Sequence, residues 1–324
     1  MRRFIIWTIV GLAQWSLLTS PVQAADVIIL TSGGNQLYQE TVASFRAHIP
    51  SNLDVNTFDL EGRLDRAQEI GERIRAGHPQ LVFAVGLKAA LVAKAELPDM
   101  PILFSMVVNP DAHGLPTSNM VGIRHKTSLL LQLEHIHTLA PKAQRIGLLY
   151  DKQKTGALVN DARAKAKQLS LQLVTASISR PDDIAETLRS LLPKIDLLWI
   201  LQDSMTLTEE SVDVLLQSSL RQKIPVFTFS TAMVRQGALG ALVIPPSDTG
   251  RQAAQVAQAM LKQQGPSTPA LLEPDHPQFA LNMNTAAFLG LTPIQSVVHT
   301  AGILFGGPGD LAKEERTILQ DFLQ

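Results

Sequence analysis

One apolar pattern occurs twice in the chain, first as Pro79-Gln80-Leu81-Val82-Phe83-Ala84-Val85-Gly86 and again as Lys194-Ile195-Asp196-Leu197-Leu198-Trp199-Ile200-Leu201. A second matching pair follows, because Asp99-Met100-Pro101-Ile102-Leu103-Phe104-Ser105 resembles Lys223-Ile224-Pro225-Val226-Phe227-Thr228-Phe229. Short runs that are apolar at almost every position are typical of parallel strands covered on both faces. The chain therefore contains two similar units, each with a strand introduced by proline.

Around these runs, short apolar segments alternate with longer segments of helical periodicity. Strands are predicted at Val27–Leu30, Asp54–Phe58, Leu81–Val85, Ile102–Val108, Arg145–Tyr150, Leu171–Ser177, Asp196–Leu201 and Pro225–Phe229. Helices are predicted at Gln36–His48, Asp65–Ala76, Leu87–Ala95, Thr155–Leu169, Pro181–Leu192 and Thr208–Arg221. This alternation predicts an α/β fold with two similar lobes, each built on parallel strands.

Two lobes of similar construction predict a ligand cleft between them, lined by the loops at the carboxyl ends of the strands. A length of 324 residues also favours two domains over a single core. After Ser230 the pattern continues with a strand at Gly240–Ile244, a helix at Ser247–Lys262 and a strand near Phe279–Asn282. These elements are expected to complete the two sheets, so the chain crosses between the lobes more than once. Hinges are expected near Met106–Val121, Phe229–Thr231 and Leu272–Phe279.

The first 24 residues have the features of an export signal. Arg2 and Arg3 precede an apolar run from Phe4 to Leu18, and Val22-Gln23-Ala24 offers a small-x-small cleavage pattern before Ala25. The chain has no cysteine, which excludes a lipid attached at the cleavage site and any disulfide. We expect cleavage near Ala24-Ala25 and a mature protein that is free in the periplasm, without a lipid anchor. A formal net charge of −1 and no basic patch argue against a nucleic-acid partner.

Several motifs, in order along the chain, together resemble one family. They are Phe104-Ser105-Met106-Val107-Val108-Asn109-Pro110, Gly114-Leu115, Asn119-Met120-Val121-Gly122, Arg145-Ile146-Gly147-Leu148-Leu149-Tyr150, Lys223-Ile224-Pro225-Val226-Phe227, Val234-Arg235-Gln236-Gly237-Ala238-Leu239, Gly250-Arg251-Gln252-Ala253-Ala254 and Leu281-Asn282-Met283-Asn284-Thr285-Ala286-Ala287. The set resembles the ABC transporter substrate-binding family that includes the tryptophan/tyrosine-binding lipoproteins. The resemblance covers about residues 26–293.

The resemblance implies the type I periplasmic-binding-protein architecture, with two Rossmann-like lobes joined by three crossovers. The domain boundaries expected from it are residues 25–120 plus about 231–275 for the first lobe, and residues 121–230 plus about 276–294 for the second. Residues 295–324 then form a C-terminal extension. The implied function is capture of a small polar ligand for an ABC permease in the inner membrane, by a monomer that needs no cofactor.

The resemblance also implies which loops hold the ligand. Carried over by position, the ligand-binding candidates are Gly34, Asn35, Gln36, Gly86, Leu87, Lys88, Ser105 and Met106 in the first lobe, and Lys154, Thr155, Gly156, Asp203, Ser204, Phe229, Ser230 and Thr231 in the second. Several of these lie at helix N-termini, whose free N–H groups favour an anion. The expected ligand is therefore an amino acid or a related small carboxylate. Phe229 is the best candidate to stack on it, with Tyr38 or Tyr150 as alternatives.

Two loops depart from the family pattern. Many members have Gly-Thr-Pro-Ala-Ala where this chain has Gly86-Leu87-Lys88-Ala89-Ala90, and Asp151–Gly156 lacks the Asn/Ser-rich loop common in relatives. Both changes weigh against an aromatic amino acid as the ligand. An ammonium at a helix N-terminus is disfavoured unless an anion offsets it. Lys88 is expected either to pair with an anionic group of the ligand or to extend into solvent.

Other functions have weaker support in the sequence. Glu134, His135 and His137, with His125 nearby, provide metal-ligating side chains, but two histidines two residues apart on a helix point in different directions. The chain has no Gly-x-Ser-x-Gly elbow, no Walker loop and no Gly-x-Gly-x-x-Gly motif, so no catalytic residue is assigned. The remaining alternative is a binding protein that signals to a membrane receptor kinase or cyclase, because the binding chemistry of transport and sensing is the same.

Overall fold

The computed structural model describes residues 25–203, 206–265, 268–292, 298 and 301–306. The predicted signal peptide, Ser204 and most of the predicted C-terminal extension lie outside these residues. The described chain forms two sheets, one of six strands and one of seven. Helices cover both sheets on both faces, and this arrangement explains why the central strands are apolar at almost every position.

The first sheet contains six parallel strands in the order β11-β5-β4-β3-β1-β2. Its strands are β1 Val27–Thr31, β2 Val55–Asp59, β3 Leu81–Val85, β4 Ile102–Ser105, β5 Met120–Ile123 and β11 Ala270–Leu272. Strands β1 and β3 to β5 are buried at every position. Helices α2 (Ala67–Ala76) and α3 (Leu87–Glu96) pack on one face, and α1 (Gln36–His48) and α9 (Pro246–Leu261) pack on the other.

The second sheet has the order β13-β12-β10-β9-β8-β6-β7. Its strands are β6 Arg145–Asp151, β7 Gln172–Ile178, β8 Leu197–Trp199, β9 Val226–Thr228, β10 Gly240–Val243, β12 Gln278–Asn282 and β13 Ala301–Phe305. All pairings are parallel except that of β10 with β12. Helices α4 (Leu129–Leu139), α5 (Lys152–Gln168) and α10 (Met283–Phe288) cover one face, and α6 (Ile184–Leu191), α7 (Glu209–Arg221) and α8 (Thr231–Arg235) cover the other.

The two sheets repeat one strand order. Strands β5-β4-β3-β1-β2 of the first sheet correspond in sequence order to β10-β9-β8-β6-β7 of the second. The matched apolar runs of the sequence are therefore equivalent strands, because β3 corresponds to β8 and β4 to β9. This confirms the predicted α/β class with two Rossmann-like lobes. Each lobe holds five such strands, one more than the repeated sequence pattern revealed.

Three crossovers join the lobes, at residues 124–128, 244–245 and 273–277. The third lies within the predicted hinge Leu272–Phe279, whereas the first two lie after β5 and β10, away from the predicted positions. The predicted lobe boundaries change accordingly. Residues 231–243 belong to the second lobe, since β10 is in the second sheet, and residues 121–123 remain in the first. Strand β13 lies in the second sheet, so residues 301–305 are part of that lobe and not of an extension.

Within the described part of the chain, no helix combines the length and the apolar character needed to cross a membrane.

Candidate ligand-binding cleft

A cavity of about 930 Å³ opens between the lobes, bordered by the carboxyl ends of strands from both sheets and by the three crossovers. This volume is in the range of small-molecule binding sites. The residues of the first lobe and the crossovers that line it are Asn35, Leu37, Tyr38, Glu40, Met106, Val108, Arg124, His125, Lys126, Thr127, Ser128, Ile244, Pro245, Pro246 and Glu273. The residues of the second lobe are Leu129, Gln132, Leu158, Asp161, Lys165, Leu201, Gln202, Phe229, Ser230, Thr231, Ala232, Leu242, Val243 and Ile303.

The first-lobe wall is mainly apolar. Asn35 caps α1, since its side chain accepts a hydrogen bond from the Tyr38 N–H at 2.9 Å, and this cap fixes the first turn beside the cleft. Leu37 and Val108 are 52% and 46% exposed, which is unusual for large aliphatic side chains and leaves an apolar surface open to the cavity. Between them, Met106 has a φ of 59°, a strained left-handed conformation that turns the chain at the end of β4.

The second-lobe wall offers an aromatic ring with polar groups next to it. Strand β9 ends at Thr228, and Phe229, Ser230 and Thr231 follow it into the cleft. The Ser230 hydroxyl faces the start of α8, where it accepts a hydrogen bond from the Met233 N–H at 3.5 Å. Gln202 follows β8 at the neighbouring strand end. This wall therefore places an aromatic surface beside hydroxyl and amide groups.

The crossovers bring charged groups to the floor of the cleft. Arg124 connects two of them, because its N–H bonds to the Leu272 carbonyl at 2.9 Å and its guanidinium pairs with Glu273 at 3.0 Å. His125 follows, and burial lowers the pKa of its imidazole. Its Nδ1 is buried and has no hydrogen-bond partner among the described residues. Lys126 completes a run of three basic residues that all line the cavity.

Of the residues predicted to bind ligand, Asn35, Met106, Phe229, Ser230 and Thr231 line the cavity. The structure places Gly34, Gln36, Gly86, Leu87, Lys88, Ser105, Lys154, Thr155, Gly156 and Asp203 outside its lining, and Ser204 lies outside the described residues. Ser105 is fully buried at the end of β4, and its hydroxyl has no hydrogen-bond partner among the described residues. The predicted loops lie at the carboxyl-terminal edge of each sheet, the edge that borders the cleft. However, the N-termini of α3 and α5 are already covered by other groups of the protein.

The start of α3 is closed by the first lobe itself. The Ser32 hydroxyl accepts a hydrogen bond from the Ala89 N–H at 2.9 Å. The Tyr38 ring lies so close to Gly86 that a Cβ at this position would be 2.7 Å from its Cζ atom. Lys88 donates a hydrogen bond to the Gly62 carbonyl at 2.5 Å. Lys88 is exposed, in agreement with the expected extension into solvent, and its ammonium also stabilises the neighbouring loop.

The start of α5 is closed by two buried carboxylates. Asp151 caps the helix by accepting a hydrogen bond from the Gln153 N–H at 2.8 Å, and it is only 5% exposed. Asp203 is 2% exposed and accepts hydrogen bonds from the Asp151 N–H at 2.7 Å and from the Thr155 hydroxyl at 2.5 Å. These internal anions occupy the position at which a helix N-terminus would attract an anionic ligand.

Sequence reasoning did not select Leu37, Val108, Gln202 or the basic run 124–126. The run lies directly after β5, a strand that the sequence pattern did not reveal, and its place in the cleft follows from the first crossover. One sequence feature could have identified this run. Three consecutive basic residues between two apolar segments are unusual and indicate a functional role.

The histidine-rich segment of α4 has no metal-binding geometry. His135 Nδ1 lies 2.9 Å from the Leu131 carbonyl oxygen of the preceding turn, and its ring packs beside Phe279. Among the described residues, no group of three or more histidine, cysteine, aspartate or glutamate side chains is placed to hold a metal ion.

With this geometry, a fold of two lobes around a lined cleft defines a binding protein of the periplasmic-binding class. The family model described as "ABC transporter substrate binding protein" matches residues 48–303, and the chain belongs to this family. The match confirms the family that the sequence motifs indicated.

Individual relatives agree with this assignment. A tyrosine-binding protein from Clostridioides difficile (strain R20291) is 23% identical over 253 residues, which are 76% of this chain and 73% of the relative. The ligand-free, open structure of a substrate-binding protein with adhesive properties from Clostridium difficile has a TM-score of 0.75 at 22% identity, covering 87% of this chain and 99% of the other. An ABC domain from Streptococcus pneumoniae in complex with L-Trp has a TM-score of 0.62 at 21% identity, covering 87% and 100%.

Proposed function

We propose that this protein captures an amino acid in the interlobe cleft and delivers it to an ABC importer from the periplasm. The observation that carries the proposal is the composition of the cleft. One wall presents Leu37, Met106 and Val108, and the other presents Phe229 beside Ser230. Ligand sites of this kind combine an apolar lining with a few placed polar groups. Binding occurs without a chemical change, as expected for a substrate-binding family.

Aromatic amino acids are the first ligands to test. One relative is named a tyrosine-binding protein and another was solved with L-Trp, and the apolar walls suit such a side chain. The departures at Gly86-Leu87-Lys88 and Asp151–Gly156 argued against aromatic ligands only if these loops touched the ligand. Neither loop lines the cavity, so the departures carry no weight against this ligand class.

A thermal-shift screen of the mature protein tests the proposal, with L-tyrosine, L-tryptophan, L-leucine, L-glutamate and a nucleoside as probes. A ligand at 100 times its Kd stabilises the folded state by about 2.7 kcal/mol, enough to raise Tm by several degrees. We expect the largest shifts from the aromatic amino acids. A protein that responds only to the nucleoside, or to none of the probes, would refute amino-acid capture.

Phe229→Leu provides a matched variant, since it keeps an apolar side chain but removes the ring. Loss of ring stacking is expected to weaken binding of L-tyrosine by about 3- to 10-fold while leaving L-leucine nearly unchanged. An equal loss for both probes would place Phe229 in a general packing role instead.

Export and transport need separate measurements. N-terminal sequencing of protein recovered from an osmotic-shock fraction is expected to begin at or near Ala25. Uptake of radiolabelled ligand is expected to fall when the gene is deleted. Normal uptake in the deletion strain, together with tight binding in vitro, would support the sensing alternative.

A further inference from the structure

The first crossover, residues 124–128, begins with three consecutive basic residues, and each of them lines the cleft. The three residues are adjacent in the sequence and all are basic, but their surroundings in the structure differ. Arg124, His125 and Lys126 differ in whether another group of the protein already uses the charge. This difference determines which of them is available to a ligand.

Arg124 is already compensated. Its guanidinium lies 3.0 Å from a Glu273 carboxylate oxygen and 3.6 Å from Asp111, so one cation faces two anions. The Glu273 pair joins the first crossover to the third, and the Asp111 pair joins it to the turn after β4. Arg124 thus holds the crossovers together, and a ligand carboxylate at this position would meet two negative charges.

His125 contributes hydrogen bonding but no charge near neutral pH. Burial disfavours the imidazolium and lowers the pKa of His125 below its ordinary value of 6.5. Its buried Nδ1 lacks a hydrogen-bond partner among the described residues, although a buried polar atom normally has one. An uncharged ring with an unused nitrogen at the cleft floor is suited to a polar group of a ligand.

Lys126 differs from Arg124 and Lys165, because it forms no ion pair among the described residues. The other lysine of the cleft wall, Lys165, lies 3.5 Å from Asp161 on the preceding turn of α5. Within the described parts of the chain, no carboxylate forms an ion pair with Lys126. The helix N-termini of α3 and α5, where an anion was expected from the sequence, are closed by Ser32 and by Asp151 with Asp203. Lys126 is therefore the strongest anion-binding group left on the cleft wall.

We propose that the Lys126 ammonium binds the carboxylate of the ligand and that the adjacent His125 ring hydrogen-bonds to the same bound molecule. This inference rests on the proposed function, because it assigns a charged group of the amino acid to one residue of that site. It also places the ligand contact on a segment that joins the lobes. A carboxylate bound there touches the hinge itself, in addition to the two lobe walls.

The test compares wild type, Lys126→Met, Lys126→Arg and Lys142→Met by isothermal titration calorimetry. Lys142 is exposed in the turn before β6, at the opposite end of the strands from the cleft, so Lys142→Met makes the same change in net charge as a control. The probes are L-tyrosine and L-tyrosinamide, which lacks the carboxylate. Wild type is expected to prefer the acid over the amide.

Lys126→Met is expected to weaken L-tyrosine binding by about 10- to 100-fold, as for loss of a hydrogen bond to a charged group, and to remove the preference for the acid. Lys126→Arg is expected to keep most of the affinity and the preference, and Lys142→Met to keep both. If Lys126→Met retains wild-type affinity and the preference for the acid, the inference is wrong while amino-acid capture stands. If wild type binds none of the four amino acids of the screen, both proposals are wrong.

Discussion

The two lobes share one strand order but close their helix N-termini with different chemistry. In the first lobe, a neutral hydroxyl of Ser32 and the ring of Tyr38 cover the start of α3. In the second lobe, the buried carboxylates of Asp151 and Asp203 cover the start of α5. These two helices follow different strands of the shared order, since α3 follows β3 and α5 follows β6, the equivalent of β1. Each loop therefore has the closing groups that its own sequence supplies. Because neither of these helix starts is left open, the proposed carboxylate contact falls on the first crossover, at Lys126.

The lobes also differ in which atoms surround a tightly packed glycine. In the first lobe, α9 packs on α1 so tightly that a Cβ at Gly250 would lie 2.2 Å from the Thr41 carbonyl oxygen. In the second lobe, a Cβ at Gly147 of β6 would instead meet side-chain atoms, Ile195 Cδ1 at 2.4 Å and Cγ2 at 2.8 Å. Backbone cannot move aside as a side chain can, so the same substitution has different consequences in the two lobes.

The largest expected effect is that of Gly250→Ala. The added methyl must separate two helices, and we expect a loss of about 3 kcal/mol or more in the free energy of unfolding. Gly147→Ala is the matched change in the second lobe, where rotation of Ile195 limits the loss to about 1–2 kcal/mol. Urea unfolding of both variants measures the difference. A greater loss for Gly147→Ala would contradict this view of the two cores.

The next effect concerns the closed helix N-termini. Asp203→Ala leaves the Asp151 N–H and the Thr155 hydroxyl without a buried acceptor, and we expect a loss of about 3 kcal/mol. Ser32→Ala removes one neutral acceptor from the Ala89 N–H, for a loss of about 1 kcal/mol. Thermal and urea unfolding measure both variants, and Asp203→Asn should fall between Asp203→Ala and wild type. Equal losses for Asp203→Ala and Ser32→Ala would show that the carboxylate adds nothing beyond a hydroxyl.

Much of the fold was predictable because it is encoded in local patterns. The bounds of β3 (Leu81–Val85) and α1 (Gln36–His48) agree with the prediction at both ends. Strand β5 was missed, since Met120-Val121-Gly122-Ile123 is short and contains a glycine. That glycine has a packing reason, because a Cβ at Gly122 would lie 2.2 Å from the Phe104 ring. Missing this strand moved the expected crossover away from residues 124–128.

The candidate site was less predictable because its loops are closed by residues distant in sequence. Ser32 reaches Ala89 across 57 positions, and Asp203 reaches Thr155 across 48. The sequence near Gly86 does not predict the contact with Ser32, and the sequence near Lys154 does not predict the contact with Asp203. The predicted residues that do line the cavity, Asn35, Met106 and Phe229 to Thr231, lie where a strand end or a helix cap alone determines the position. Long-range closure of a loop is what the sequence does not reveal.

The smallest expected effect compares the opposite, amino-terminal edges of the sheets. In the first lobe, Asp26 joins β1 to its neighbours through neutral donors, the Asp54 N–H at 3.0 Å and the Gln80 amide at 2.6 Å. In the second lobe, Asp196 pairs with Arg145 at 2.6 Å. The hydrogen bond from the Arg145 side chain, aided by the N–H groups of Arg145 and Gln144, outweighs burial and holds the pKa of Asp196 below its ordinary 3.8.

Asp196→Asn tests whether the pair of Asp196 and Arg145 makes the free energy of unfolding depend on pH. A lowered pKa stabilises the folded state above the pKa of the unfolded chain, and this contribution is lost as the pH falls through the lower folded value. Because the pair is partly exposed, we expect Asp196→Asn to be less stable than wild type by under about 1 kcal/mol at pH 7. Urea unfolding from pH 7 to pH 3 should show a constant difference down to about pH 5 that shrinks progressively below about pH 4. A difference of the same size at pH 3 as at pH 5 would mean that the geometry of the hydrogen bonds, and not the charge of Asp196, stabilises this edge.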